Sequence, residues 1–337
     1  MASASSPAGS ALNPFGRNAS PEARTLLALL VIIVLAGVTT PAAFDGSNIF
    51  FQLGNLTDIL RQVSLIGILS LGMTFVILTA GIDLSVGSLL ALSTTVTAMV
   101  LTRTGSGTPY PLQVALAISA GVGACALFGV INGGLISSLR VQPFIVTLAS
   151  MIGVRGFAKW ISRNENIDLG FGTDAASRFA AFYRLKPVVV GTYAGIAVVF
   201  AFLLGKTVFG RHVRAIGDNE KAALYAGLPI RSTKIWVYGL SGLLAGMAGV
   251  LYAAENHQGN PNSGVAYELD AIAAVVIGGT RLSGGRGSII GTVLGTLIIG
   301  VLTNMLRLRN VDSNAEMMIK AVIIVLAVAL QRDRRQG

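Results

Sequence analysis

The chain has 337 residues, 53% of them hydrophobic and 12% charged, with a mean hydropathy of +0.71, whereas soluble domains carry about 25% charged residues. That balance excludes a soluble globular enzyme. The surplus of ten positive charges would point to nucleic acid in a soluble protein, but cytoplasmic loops of membrane proteins also gather Lys and Arg, so their placement decides.

Residues 1–24, rich in Ser, Ala, Pro and Asn, read as a disordered cytoplasmic tail. A cleaved signal peptide fits less well, because the polar stretch ahead of the apolar core is too long. Apolar runs follow at 25–41, 56–80, 86–101, 111–135, 143–161, 187–205, 235–254, 269–279, 288–306 and 315–330. A crossing helix needs about 20 apolar residues, so the pattern predicts an all-α polytopic membrane protein of about ten transmembrane helices. The membrane domain is 25–331, with a basic cytoplasmic tail at 332–337. The eighth run is too short to cross unless the flanking residues 267–280 join it, and a re-entrant segment is the alternative.

With the N-terminus inside, the loops 136–142, 206–234 and 281–287 share a side with both termini. That side holds 14 Lys/Arg against 5 Asp/Glu, counting Asp83, and the opposite side holds 7 of each. The asymmetry predicts N-in and C-in and argues against a nucleic-acid partner. Many of the 41 glycines fall inside apolar runs, where small residues let helix backbones approach closely. The lone Cys125 precludes an intrachain disulfide and reads as a small buried residue.

Two short matches mislead. Residues 121–126 fit a dinucleotide fingerprint ending in Ala, but they lie in mid-span without a preceding strand. Leu282-Ser-Gly-Gly285 fits the signature tetrapeptide of transport ATPases, yet the chain has no GxxxxGK[ST] phosphate loop. The same stretch has an internal echo, since residues 80–87 align with 278–285 through Leu84-Ser85 and Leu282-Ser283, hinting at duplication.

No catalytic constellation is visible. His212 and His257 lack metal-ligand or triad spacing, so the chain reads as a non-enzyme holding no metal. Asp83, Arg155, Lys159, Asp270 and Lys320 lie in or near spans, where each charge costs about 2.5 to 3.5 kcal/mol at mid-helix and should line water or pair within the bundle. Asp83, in a Gly-flanked break with Ser85, and Asp270 are candidates for a pathway or helix-break role. An ion-coupled secondary transporter would use Asp83 and Asp270 as relays, and a passive channel would need no coupling element.

The loop 206–234 is the longest expected inside. Within 215–229 the sequence spells a short helix, with Asp218 as its expected N-cap, Glu220 in the first turn, Gly227 just past its end and Pro229 as a stop. So short a helix needs a partner surface. Asn219-Glu220-Lys221-Ala222-Ala223 with Gly227 resembles the EAA loop of ABC importer permeases, which docks into the ATPase subunit; Lys221 takes the place of the first alanine of the stricter pattern. Residues 72–92 (GMTFVILTAGIDLSVGSLLAL) and 267–279 (YELDAIAAVVIGG) resemble hallmarks of the ribose-type monosaccharide permeases, a branched-chain-permease-like group, and the likeness runs from about residue 55 to 330.

The resemblance implies a type II-like ABC importer permease bundle in the bacterial inner membrane. It implies a homodimer or a pair of related permeases, two ATPase subunits that use ATP and Mg at the cytoplasmic face, and a periplasmic sugar-binding protein outside. The coupling helix would comprise Asp218, Asn219, Glu220, Ala222, Ala223 and Gly227. The external segments 164–186 and 255–267 are where a binding protein is expected to dock, with Glu255 and Glu268 on an acidic outer rim. This chain binds no cofactor of its own, and its remaining partner is membrane lipid.

Overall fold

The computed structural model describes residues 20–42, 46–105 and 107–332. Most of the expected N-terminal tail (1–19) and the basic tail from 333 onward lie outside the described residues. The elements in order are α1 (Pro21–Thr39), a 3-10 turn (Ile49–Phe51), α2 (Leu53–Leu78), α3 (Val86–Arg103), α4 (Tyr110–Leu139), α5 (Pro143–Ile161), β1 (Ile167–Asp168), α6 (Ala175–Tyr183), α7 (Lys186–Lys206), α8 (Val208–Asp218), α9 (Glu220–Tyr225), α10 (Ile230–Glu255), β2 (Gln258–Gly259), α11 (Tyr267–Ile277), α12 (Ile289–Leu308) and α13 (Ser313–Arg332).

Local chemistry sets many helix ends. Ser20 caps α1, its hydroxyl accepting from the Ala23 amide at 3.2 Å, with Pro21 at the first helical position. Prolines also open α4, α5 and α7, where a missing N–H leaves nothing unsatisfied. Ser288 caps α12 by accepting from the Gly291 amide at 3.1 Å, and its hydroxyl donates to Glu22 of α1 at 2.9 Å, pinning the starts of α1 and α12 together.

Among the described residues, eight helices, α1 to α5, α7, α10 and α12, are long and apolar enough to cross a membrane. They form two layers. Of the most apolar stretch of each, 61% to 78% is buried in α2, α3, α10 and α12, against 17% to 28% in α1, α4, α5 and α7. Apolar helices open over most of their circumference suit lipid, and those closed all round form the core. The core is densest along α2, buried almost without break from Val63 to Leu78. Beside it, α10 meets α4 backbone to backbone: a Cβ at Gly246 would lie 2.7 Å from the Cα of Val122, and one at Gly242 would collide with the Cys125 carbonyl.

The eighth expected span is neither a full helix nor a re-entrant hairpin. The 11 residues of α11 reach about 16 Å, half of a hydrocarbon core of about 30 Å. The other half is spanned by non-helical turns, residues 260–266, running down α3. The Asn260 amide donates to the Thr94 hydroxyl at 3.2 Å, that hydroxyl donates back to the Asn260 carbonyl at 3.1 Å, and Gly264 packs on the backbone of Gly87. Thr94 and Gly87 are about 13 and 24 Å from the Arg103 end of α3. The tenth expected run falls within α13.

Candidate functional site

The segment 206–234 folds as a helical hairpin of α8 and α9. One face of α8, Gly210, Val213, Ile216 and Gly217, is buried, while Arg211, Arg214 and Asp218 are exposed. Phe209 stacks on Phe75 of α2 at 6.0 Å between ring centroids. The spacing of the buried residues is that of an amphipathic helix, a signal in the sequence that reading for caps alone passes over.

The N-cap of α9 is Asn219, whose side-chain oxygen accepts from the Ala222 amide at 3.0 Å. Asp218, the expected cap, is the last residue of α8. The backbone leaves the helical region only at Asn219 (φ −157°), and a cap must sit at that transition. At the other end Gly227 adopts φ +76°, its amide donating to the Leu224 carbonyl at 3.0 Å while the Leu228 amide donates to the Ala223 carbonyl at 3.0 Å. This paired closure satisfies the last carbonyls of α9. Ala223 is the buried residue of α9, and Ala222 is exposed together with Leu224 and Tyr225, the last 89% exposed. Glu220 is tied to Lys234 of α10 at 2.7 Å.

The hairpin is seated on the two echoing stretches. At Gly217 a Cβ would collide with the Leu78 carbonyl oxygen and lie 2.6 Å from the Gly285 nitrogen. The Gly285 amide donates to the Leu78 carbonyl at 3.0 Å, and a Cβ on Gly284 would sit 2.7 Å from the Gly217 carbonyl. The turns after α2 and after α11 therefore touch each other and the end of α8.

Asp83, fully buried, organises the first of these turns. Its Oδ1 accepts from the Ser85 amide at 3.0 Å and the Ser85 hydroxyl at 2.5 Å, and its Oδ2 accepts from the Ser241 hydroxyl of α10 at 2.8 Å. Asn132 of α4 donates to the Ser85 hydroxyl at 3.2 Å, and Thr147 of α5 donates to the Ile82 carbonyl at 3.1 Å. The break between α2 and α3 is thus tied to α4, α5 and α10. Asn132, Thr147 and Ser241 carry no motif, and a lone polar residue in an apolar run was the one available signal.

Asp270 belongs to a different cluster. It meets Lys320 of α13 at 3.5 Å; Lys320 meets Glu316 at 2.9 Å, and Glu316 meets Arg307 of α12 at 3.4 Å. That chain of charges joins α11, α12 and α13. Glu255 pairs with Arg61 of α2 at 3.5 Å, and Glu268 is half-buried against Gly87.

Segment 164–186 meets the first part of segment 255–267, residues 255–259, at the end of the bundle opposite α9. β1 pairs antiparallel with β2, Ile167 opposite Gly259. His257 is clamped there: its Nε2 lies 2.8 Å from an Arg184 nitrogen and its Nδ1 lies 3.0 Å from the Gly170 carbonyl, with Phe171 stacked on the ring at 4.2 Å. An arginine can only donate, so Nε2 accepts and Nδ1 carries the proton toward Gly170. Asp174 caps α6, and the Ser177 hydroxyl, first, and then backbone amides hold its carboxyl below the usual aspartate range. Arg178 of α6 lies over the Tyr110 ring of α4 at 4.4 Å.

Residues 55–328 match the family described as branched-chain amino acid transport system / permease component. The chain is 41% identical over 318 residues to the ribose import permease protein RbsC of Escherichia coli K12, covering 93% of this chain and 94% of that protein. It is 42% identical over 310 residues to RbsC of Bacillus subtilis, covering 91% and 92%. The L-arabinose ABC transporter permease protein AraH of Azospirillum brasilense is 37% identical, covering 92% of this chain and 87% of its own length. Among solved structures, an inward-facing conformation of a metal-chelate type ABC transporter matches with a TM-score of 0.51 and 14% identity, covering 92% of this chain and 96% of its own. That last likeness concerns the fold alone.

Proposed function

The chain belongs to the branched-chain-type transport permease family, and from that membership we propose that it is the transmembrane subunit of an ATP-driven importer of ribose or a similar monosaccharide. It is a non-catalytic subunit, and ATP is hydrolysed with Mg by a separate ATPase. The observation that carries the reading is α9: a helix capped at both ends within its own sequence and presenting Leu224 and Tyr225 outward. Apolar side chains this exposed at the tip of a well-formed helix are suited to a partner's cleft.

In this reading α9 is the coupling helix, formed by Asn219, Glu220, Ala222, Ala223 and Gly227 and preceded by Asp218. The ATPase subunits dock on it from the cytoplasm. Closure of the ATPase dimer pushes the α8–α9 hairpin, and Gly217 passes the displacement to both turns beneath it, so that access switches between the two sides of the membrane. Asp83 and Ser85 keep the first turn rigid against α10 while it moves, and Asp270 ties the half-helix α11 to α13. The platform of β1, β2 and α6, with Glu255 nearby, receives a periplasmic sugar-binding protein. Two copies of the chain enclose the pathway in the bacterial inner membrane, each crossing about ten times with both termini inside, consistent with the one-sided excess of Lys and Arg.

Reconstitution into proteoliposomes with an ATPase subunit and a ribose-binding protein tests the proposal. The expected result is ribose uptake that requires all three components and ATP. Uptake by this chain alone, driven by a proton or sodium gradient, would establish a secondary transporter instead.

A further inference from the structure

Residues 260–266 are non-helical backbone running between about 13 and 24 Å below the Arg103 end of α3. At such depth irregular backbone occurs only where protein covers it or where it lines water, because lipid cannot satisfy its amides and carbonyls. One side of the segment is covered by α3, through the Asn260 pair with Thr94 and the contact of Gly264 with Gly87. From α5, Arg155 donates to the Pro261 carbonyl at 3.2 Å and the Ser263 carbonyl at 2.8 Å. The other side is open: Asn262 is exposed, and Val265 and Leu269 are 67% and 52% exposed. The half-buried Arg155 lies within electrostatic reach of Glu268, whose Oε2 is buried without a hydrogen-bond partner among the described residues. Charged groups within a bundle mark water-lined paths, and a site where a helix gives way to irregular backbone at mid-depth is a common place to hold a polar solute.

We propose that the open face of this discontinuous span, formed by Arg155, Asn262, Val265 and Glu268, faces water and is the station at which the transported polyol touches the permease. The water-facing part stands on the backbone geometry alone, and the identity of the solute rests on the importer reading above. The chemistry fits a sugar better than an ion. A guanidinium, a carboxylate and an amide offer donors and acceptors side by side, which matches hydroxyl groups that both donate and accept.

The test is cysteine labelling of the full chain, assembled with its ATPase and binding protein in proteoliposomes. Cys125 is fully buried, so the unmodified chain supplies the background. Asn262→Cys and Val265→Cys are compared with Val199→Cys, on the open face of α7 (59% exposed), using a charged, membrane-impermeant thiol reagent. Labelling at 262 and 265 should be at least about tenfold faster than at 199, because the reactive thiolate forms in water and not in lipid, and 10 mM (order of magnitude) D-ribose with ATP should slow it. Equal, slow labelling at all three sites overturns the water-facing face. Glu268→Gln and Arg155→Lys should change the ratio of D-ribose to D-xylose uptake while binding-protein-stimulated ATP hydrolysis persists, and an unchanged ratio overturns the sugar contact. Failure of the importer reading would appear separately, as uptake that ignores the ATPase.

Discussion

The Gly285 amide donates to the Leu78 carbonyl at 3.0 Å, and this one bond fastens the turn after α11 to the end of α2 directly under Gly217 of α8. Nothing larger than hydrogen fits on Gly217. A push on the α8–α9 hairpin therefore reaches two helix pairs, α2/α3 and α11/α12, at one point.

Gly217→Val is expected to prise α8 from that junction. Overpacking of this kind costs about 1–3 kcal/mol, enough to shift the hairpin and leave the transmembrane core folded. ATP hydrolysis should continue in the reconstituted complex while ribose uptake falls at least about tenfold, the rate equivalent of 1.4 kcal/mol. Uptake and hydrolysis lost in proportion would show a defect of assembly instead.

On α9, Tyr225→Ala and Glu220→Lys should weaken ATPase binding by different routes. Tyr225 is 89% exposed, so its loss removes contact area without disturbing the fold; truncation of a buried interface aromatic costs about 2 kcal/mol or more. Glu220→Lys replaces an attraction to Lys234 at 2.7 Å with a like-charge repulsion. Both are checked by titrating the ATPase subunit onto the purified permease, and an unchanged dissociation constant for Tyr225→Ala would remove α9 from the interface.

Asp83→Ala should lower the melting temperature of the purified permease. The substitution leaves the Ser85 amide and the Ser241 hydroxyl, both buried, without their acceptor, at about 1–3 kcal/mol for each unsatisfied group. Asp83→Asn keeps one carbonyl oxygen and should fall between Ala and the parent. Equal melting temperatures for all three would show that the break is held by other contacts.

Acid should loosen the platform opposite α9 in a predictable direction. Asp174 has its pKa lowered in the folded chain by the Ser177 hydroxyl and by backbone amides, so its contribution is present above the unfolded aspartate value of about 3.9 and is lost as pH falls through the lower folded value. Amide exchange in α6, normalised for the intrinsic rate, should rise below about pH 3.9. Asp174→Ala should raise it at neutral pH and remove that acid step.

Much of this fold is legible in the sequence because its signals are local. Long apolar runs mark the spans, and the Asn219 to Gly227 helix announces both of its ends within a few residues. Even there, choosing between Asp218 and Asn219 as the cap depended on where α8 stops, which follows from the seat of Gly217 and not from cap preference. The short eighth run signalled an irregular span, but its form was unreadable. Asn260 finds its partner in Thr94, 166 residues earlier, and no periodicity links the two.

By itself the sequence determined the class of protein, the approximate spans and the position of the short capped helix α9, because hydrophobicity and capping act over a few residues. Only the tertiary structure decided that the two echoing turns meet beneath Gly217, that the turn at Asp83 is tied to α4, α5 and α10, and that half of the eighth span is non-helical turns. Those features depend on which backbones can approach without a side chain between them and on where each buried polar group finds its partner, and both are settled only when the helices pack.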